Sequence, residues 1–138
     1  SSNHLSMAEA NIVSIPVRFQ DIDSMGHVNN TEYPKFLAEA RARYYEAVLD
    51  IDLQAADTVV VHMSIDYGSE ITHGDVVDIA VRISELGASS ITMEYTFRID
   101  GETVATAETV QVMYDREAGT SREIPRAWRH KIEGREGL

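Results

Sequence analysis

The chain of 138 residues contains no cysteine, and this absence excludes several chemistries. Without a thiol there is no cysteine nucleophile, no disulfide framework and no cysteine-ligated metal site. No apolar run approaches the roughly 20 residues that a membrane-spanning helix requires. Residues 1–7 also lack the charged start and apolar stretch of a secretory signal peptide. These absences lead us to expect a cytoplasmic protein.

Several short catalytic and cofactor motifs are missing as well. The sequence has no G-x-S-x-G turn for a serine nucleophile, no G-x-G-x-x-G dinucleotide motif and no phosphate-binding P-loop. Its histidines show no paired metal spacing such as H-x-x-x-H. We therefore predict neither a metal site nor a bound cofactor. The five histidines are His4, His27, His62, His73 and His130.

The chain carries a net charge of −11, which argues against a nucleic acid partner. The charge is distributed unevenly, because residues 115–138 contain six bases and five acids while the rest is strongly acidic. An anionic ligand is therefore better received near the C-terminal end than elsewhere. A solvated charged tail explains the same composition, and both interpretations stay open here.

One long helix is predicted over Thr31–Leu49, where apolar residues recur at intervals of three and four. Pro34 has no backbone N–H to donate, so it must lie in the first turn. This places the helix start near Asn30 or Thr31, both of which are good N-cap residues. The residues of the apolar stripe are Tyr33, Phe36, Leu37, Ala40, Tyr44, Ala47 and Val48.

Five β-strands are predicted around this helix, one before it and four after it. Short connections suggest that the last four form an antiparallel meander. Pro16 in the first strand predicts an edge position or a break. The expected fold is α+β, a single domain over residues 12–126 with one helix packed on an antiparallel sheet of about five strands. Residues 1–11 are expected to be a disordered or artificial extension and residues 127–138 a charged tail. The predicted strands are Ile12–Phe19, Thr58–Tyr67, Val76–Glu85, Ser90–Ile99 and Glu102–Tyr114.

The loop Asp21–Asn30 concentrates two carboxylates, an imidazole and two amides just before the helix. A helix N-terminus presents unpaired N–H groups and a partial positive charge, which can stabilise an oxyanion. A carboxylate slightly upstream can then act as base or nucleophile on the same carbonyl. Turns and helix caps are also rich in Asp, Asn and Gly, so a purely structural loop remains an alternative.

The segment from Val17 to Tyr33, with its D-x-D-x-x-G-H-V-N-N-x-x-Y run, closely resembles the signature of the 4-hydroxybenzoyl-CoA thioesterase-like family. The resemblance covers roughly residues 12–126 and continues through Phe36-Leu37-Ala38-Glu39-Ala40-Arg41. It implies a hotdog fold, in which an antiparallel sheet wraps one long helix. It also implies an acyl-CoA thioesterase that needs no cofactor, with the CoA thioester as its substrate.

The resemblance also implies roles for individual residues. Asp23, the second acid of the pair, matches the family's catalytic aspartate, either as nucleophile or as general base on water. The backbone N–H of Asn30 matches the group that polarises the thioester carbonyl. The matching substrate-binding positions are Gly26, His27, Asn29 and Tyr33.

The carrier of the acyl group stays open, because the turn Leu86–Ser90 lacks the bases that some family members use to bind CoA phosphates. Candidate substitutes are Arg82, Arg98, the tail bases Arg122, Arg126, Arg129 and Lys131, or backbone N–H groups around Gly87. The alternatives are an acyl-carrier-protein thioesterase and a non-catalytic acyl-CoA-binding hotdog dimer. An acidic carrier protein would be repelled by a chain of this charge, which favours CoA.

A homodimer or a dimer of dimers is expected, because one helix cannot cover both faces and all edges of a five-stranded sheet. In the resembling family the strand after the helix, here Thr58–Tyr67, lies at the dimer interface.

Overall fold

The computed structural model describes residues 12–18, 22–26, 28–52, 56–72 and 74–138. The expectation for residues 1–11 falls outside this part of the chain. Within it, a curled antiparallel sheet wraps one long helix, as the α+β hotdog prediction requires.

The long helical segment runs without interruption from Asn30 to Leu49. It begins with a 3₁₀ turn, Asn30–Glu32, continues as helix α1, Tyr33–Tyr44, and ends in a π-helical turn, Tyr45–Leu49. Its bounds agree with the predicted helix to within one residue. The side of the helix that faces the sheet is buried because its apolar residues recur every three or four positions. These buried residues are Tyr33, Phe36, Leu37, Ala40, Arg41, Tyr44, Tyr45 and Leu49.

The main sheet has the strand order β1-β3-β4-β5-β2, with antiparallel pairing throughout. Pro16 ends β1 at one edge of this sheet, as predicted, so its missing N–H breaks no interior ladder. The strands are β1 Ile12–Pro16, β2 Thr58–Tyr67, β3 Val76–Leu86, β4 Ser90–Ile99, β5 Glu102–Asp115 and the short β6 Thr120–Ser121, which pairs with β5.

The prediction that the last four strands form a meander is wrong for β2. This strand pairs with β5 at the far edge of the sheet, and β3 pairs with β1 and β4 instead. The eight residues 68–75 between β2 and β3 must cross three strand spacings, or roughly 14 Å. Eight extended residues reach up to about 26 Å, so this connection is long enough to cross the sheet end.

A second helix, α2, spans Arg126–Glu136 and packs on the end of the long helix. Most of this helix falls within residues 127–138, which the sequence analysis places in a charged tail. Ile132 is fully buried, and Trp128 packs edge-on against Tyr45 at 6.1 Å between ring centroids. The Glu136 carboxylate accepts hydrogen bonds from the Tyr44 hydroxyl and the Ile83 N–H. No helix in the described part of the chain is long and apolar enough to cross a membrane.

Candidate active site

A cavity of about 310 Å³ opens beside the start of the long helix. One wall comes from the loop and helix start that the sequence analysis selected, and the other comes from the end of β2 and the connection after it. The lining residues are Asp23, Val28, Asn29, Asn30, Tyr33, Tyr67, Gly68, Ser69, Glu70 and Ile71.

The loop that carries Asp23 is held in a tight turn. One carboxylate oxygen of Asp23, Oδ1, accepts a hydrogen bond of 2.9 Å from the Met25 N–H, and the Asp23 carbonyl accepts one of 3.1 Å from the Gly26 N–H. Gly26 has φ +81°, a conformation that other residues rarely adopt. An antiparallel bridge between Ile22 and Val28 closes the loop. The turn thus fixes the direction in which the Asp23 carboxylate points.

The helix start leaves one backbone donor without a partner among the residues that the structure describes. The Asn29 side-chain Oδ1 caps the first turn by accepting 3.0 Å bonds from the N–H and the hydroxyl of Thr31. The Glu32 N–H bonds to the Asn29 carbonyl at 2.8 Å. Within the described residues the Asn30 N–H donates no hydrogen bond, and Asn30 lines the cavity. The first N–H of the helix is therefore available to an acceptor, at the positive end of the helix dipole.

One backbone hydrogen bond ties the second wall to the first, and two more tie the second wall to β5. The Val28 N–H bonds to the Ile71 carbonyl at 2.7 Å, and the N–H groups of Gly68 and Ser69 both bond to the Val104 carbonyl. A Cβ atom at Gly68 would lie only 2.8 Å from that carbonyl oxygen, so this close approach requires glycine. The segment that carries Glu70 is thus held beside the Asp23 loop.

Aromatic rings form the inner part of the site. Tyr33 packs edge-on against Tyr67 at 4.8 Å between ring centroids and lies 5.5 Å from Phe97. Burial, and secondarily the neighbouring Tyr67, raises the pKa of Tyr33 above its usual value. The Tyr33 phenol therefore stays neutral near pH 7 and offers a hydroxyl group, not a base, to a ligand.

The structure brings together Asp23, Asn29, Asn30 and Tyr33 in one cavity. Gly26 lies in the same loop but does not line the cavity. His27, and the neighbouring acid Asp21, fall outside the described residues. Tyr67, Ser69 and Glu70 also line the cavity, and no feature of the sequence points to them. They follow the helix start by about forty positions in the sequence, and no local motif marks them. Only the connection that crosses from β2 to β3 brings them next to the Asp23 loop.

The turn between β3 and β4, which lacks bases of its own, has a base from α2 beside it. The Arg129 guanidinium donates a 2.6 Å hydrogen bond to the Gly87 carbonyl. The Ile124 N–H bonds to the Ala88 carbonyl, so the segment before α2 also runs along this turn. Both bases have an acidic partner: Arg129 pairs with Glu133 at 4.0 Å, and Arg82 pairs with Glu94 at 2.7 Å. Arg129, one of the substitutes named from the sequence, contacts this turn directly.

Acidic and histidine side chains do not cluster as metal ligands in the part of the chain that the structure describes. These ranges contain no group of three or more such side chains that could hold a metal ion. The prediction that the protein binds no metal stays a prediction, because His27 and His73 lie outside them.

Known proteins with this architecture include several thioesterases. A thioesterase from Thermus thermophilus, crystallised in complex with coenzyme A and Zn, is 35% identical, with a TM-score of 0.84, and the match covers 92% of this chain and 94% of that one. A thioesterase superfamily protein from Jannaschia sp. CCS1 is 26% identical, with a TM-score of 0.82, covering 92% of this chain and 83% of that one.

A sequence relative and a family match complete the comparison. The uncharacterized protein YsmA of Bacillus subtilis (strain 168) is 29% identical over 107 residues, which cover 76% of this chain and 73% of that protein. The sequence pattern of the thioesterase-like superfamily matches residues 17–132, which include the Asp23 loop, the long helix and all the strands after it. The resemblance to 4-hydroxybenzoyl-CoA thioesterases is thereby confirmed, and the chain belongs to the thioesterase-like superfamily.

Proposed function

We propose that this protein hydrolyses acyl-CoA thioesters to a free carboxylic acid and CoA. The observation that supports this most strongly is the pairing of a carboxylate and an open helix N–H in one cavity. Asp23 and the first residue of the helix, Asn30, both line it. A carbonyl group placed between them meets a donor for its oxygen and an oxygen nucleophile or base for its carbon.

The chemistry follows from this pairing. The thioester oxygen accepts a hydrogen bond from the Asn30 N–H, which stabilises the negative charge that develops during attack. Asp23 either attacks the carbonyl carbon or removes a proton from an attacking water. The C–S bond then breaks, and the sulfur leaves as a thiolate. A thiolate is a good leaving group, so a carboxylate and an oriented dipole suffice without a Ser-His-Asp triad.

CoA is the proposed carrier for two reasons. The Thermus thioesterase with 35% identity was crystallised with coenzyme A. The net charge of −11 opposes long-range approach by an acidic carrier protein. Arg129, which lies against the β3–β4 turn, is a candidate for contacting the CoA phosphates.

The proposed assembly is a homodimer through β2. This strand lies at the edge of the sheet, so one side of its backbone pairs with no strand in the described ranges, and its apolar side chains are unusually exposed. Val61, at a bulge in the strand, is 60% exposed. Tyr67 belongs both to β2 and to the cavity, so a second copy on this edge would border the active site. The other exposed apolar residues of β2 are Val59, Val60, Met63 and Tyr67.

The test of the proposed function is release of free thiol from a panel of short, long and aromatic acyl-CoAs, followed by the same acyl groups on acyl carrier protein. Turnover of at least one CoA thioester, faster than its carrier-protein counterpart, is the expected result. Faster turnover of the carrier-protein form would assign the other carrier. Binding of acyl-CoA without thiol release would identify a non-catalytic binding protein.

A further inference from the structure

A second carboxylate, Glu70, lies in the same cavity as Asp23 and has no part in the chemistry described above. Its position is fixed from both sides. The residue after it, Ile71, is fully buried, and its carbonyl accepts a hydrogen bond from the Val28 N–H. The residue before it, Ser69, donates its N–H to the Val104 carbonyl. Glu70 itself is exposed to solvent. It is thus held on the wall formed by the β2–β3 connection, with its side chain where solvent reaches the cavity.

Resting on the proposed function, we propose that Glu70 is the base that activates the hydrolytic water, with Asp23 as the nucleophile. In the first step an Asp23 oxygen bonds to the thioester carbonyl carbon and the C–S bond breaks. The products are a mixed anhydride on Asp23 and a thiolate. In the second step a water oxygen bonds to that acyl carbon, and one water proton passes to Glu70. The bond to Asp23 breaks, which releases the carboxylic acid and restores the Asp23 carboxylate. Glu70 then returns its proton to the thiolate or to solvent.

The need for a second base follows from the first step. Once Asp23 is acylated it has no free carboxylate and cannot accept the water proton. The other described side chains of the cavity offer no base near neutral pH, because they are amides, a serine hydroxyl, phenols and aliphatic groups. Glu70 is the carboxylate that remains among them. The Asp23 loop and the β2–β3 connection each contribute one acid to the cavity, so one acid can meet the carbonyl carbon while the other meets incoming water.

The test uses Glu70→Gln, which keeps the size of the side chain and removes its charge. Because Glu70 is exposed, folding should be unchanged, and circular dichroism checks this. Mixing the variant with a good acyl-CoA should give a burst of about one thiol per active site, followed by turnover slower by roughly 10²–10⁴. Mass spectrometry should find the acyl group on Asp23. Hydroxylamine attacks the acyl group on Asp23 without help from a base. It should therefore restore turnover, with the acyl hydroxamate as the product.

Matched variants give the comparison. Glu117→Gln removes the same charge from an exposed turn after β5, outside the cavity, and should behave as the wild type. Glu70→Asp keeps the charge on a shorter side chain and should retain more turnover than Glu70→Gln. His27→Gln tests the imidazole next to Gly26 in the Asp23 loop. Its time course should not show the fast burst and slow second phase expected for Glu70→Gln.

The outcomes separate this inference from the proposed function. Wild-type protein that hydrolyses no thioester overturns both. Active wild-type protein with fully active Glu70→Gln overturns only the role of Glu70. So does a variant that loses the burst together with steady turnover, because Glu70 would then act before acylation. A burst followed by stalling in His27→Gln but not in Glu70→Gln assigns the base to the imidazole instead.

Discussion

Replacing Asn30 with proline would remove the open N–H while leaving the helix in place. Asn30 is the first residue of the helical segment, a position where proline is common because its N–H has no intrahelical partner. The residue before a proline must be extended, and Asn29 already has φ −67° and ψ 137°. The Asn29 cap uses the N–H of Thr31, not that of Asn30, so it survives the change.

The size of the effect follows from the loss of one oxyanion donor. Removing such a donor typically lowers kcat by about 10²–10³, or roughly 2.7–4 kcal/mol of transition-state stabilisation. We expect Asn30→Pro to lose turnover on this scale with little change in Tm. Asn30→Ala keeps the backbone N–H and is the matched control. It should stay close to wild-type turnover.

The assay is kcat for thiol release from the best acyl-CoA, measured for both variants beside thermal unfolding curves. A folded Asn30→Pro protein with wild-type kcat would refute the role of this N–H. A large loss in Asn30→Ala would instead assign the effect to the Asn30 side chain.

Other predictions concern assembly, pH and metals. Val61→Lys should dissociate the proposed dimer in sedimentation experiments, while Val76→Lys, an equally apolar exposed site on an interior strand, should not. A wild-type monomer at micromolar concentration would contradict the assembly. Burial raises the pKa of Tyr45 and Tyr95 above the usual value near 10. The unfolded chain therefore loses these protons first, and unfolding free energy in urea should hold below about pH 10 and fall above it; a rise there would be inconsistent. Dialysis against a chelator should leave turnover unchanged, whereas loss that Zn²⁺ restores would reveal a metal requirement.

The long helix was predictable because its signals are local. A period of 3.6 residues, Pro34 in the first turn and a capping residue before it all point to the same start. The structure places that cap on Asn29, one position before the predicted start.

The strand order was not predictable from the same kind of signal. Alternation of apolar residues shows that β2 is a strand but not which neighbour it pairs with. The meander prediction assumed short connections, and residues 68–75 are long enough to cross the sheet end. The pairing of β2 with β5 joins residues roughly forty to fifty-five positions apart in the sequence, so neither strand's own pattern indicates it.

Helix α2 was not predicted because most of its residues are polar, so the sequence shows no clear apolar stripe there. The signals that remain are Pro125 before its start, Trp128 and Ile132 four residues apart, and Gly137 with φ +74° after its end. A single pair of apolar residues is a weak pattern. The pair can be interpreted only once Trp128 is seen to pack against Tyr45 at the end of the long helix.

The candidate site, like the fold, has a part that local sequence signals predict and a part that they do not. Asp23, Asn29, Asn30 and Tyr33 belong to one short segment, so a sequence motif can carry them together. Glu70 reaches the cavity only through the β2–β3 crossing, and no spacing in the sequence marks it.

The most direct test of the account is thiol release by Asp23→Asn beside Asp21→Asn on the best acyl-CoA. Asparagine keeps the size of the side chain and removes its charge, and circular dichroism confirms that both variants fold. We expect Asp23→Asn to lower kcat by roughly 10²–10⁴ or more, with little change in KM, and Asp21→Asn to cause a smaller loss. Wild-type kcat in folded Asp23→Asn would contradict it and leave the loop with only a structural role.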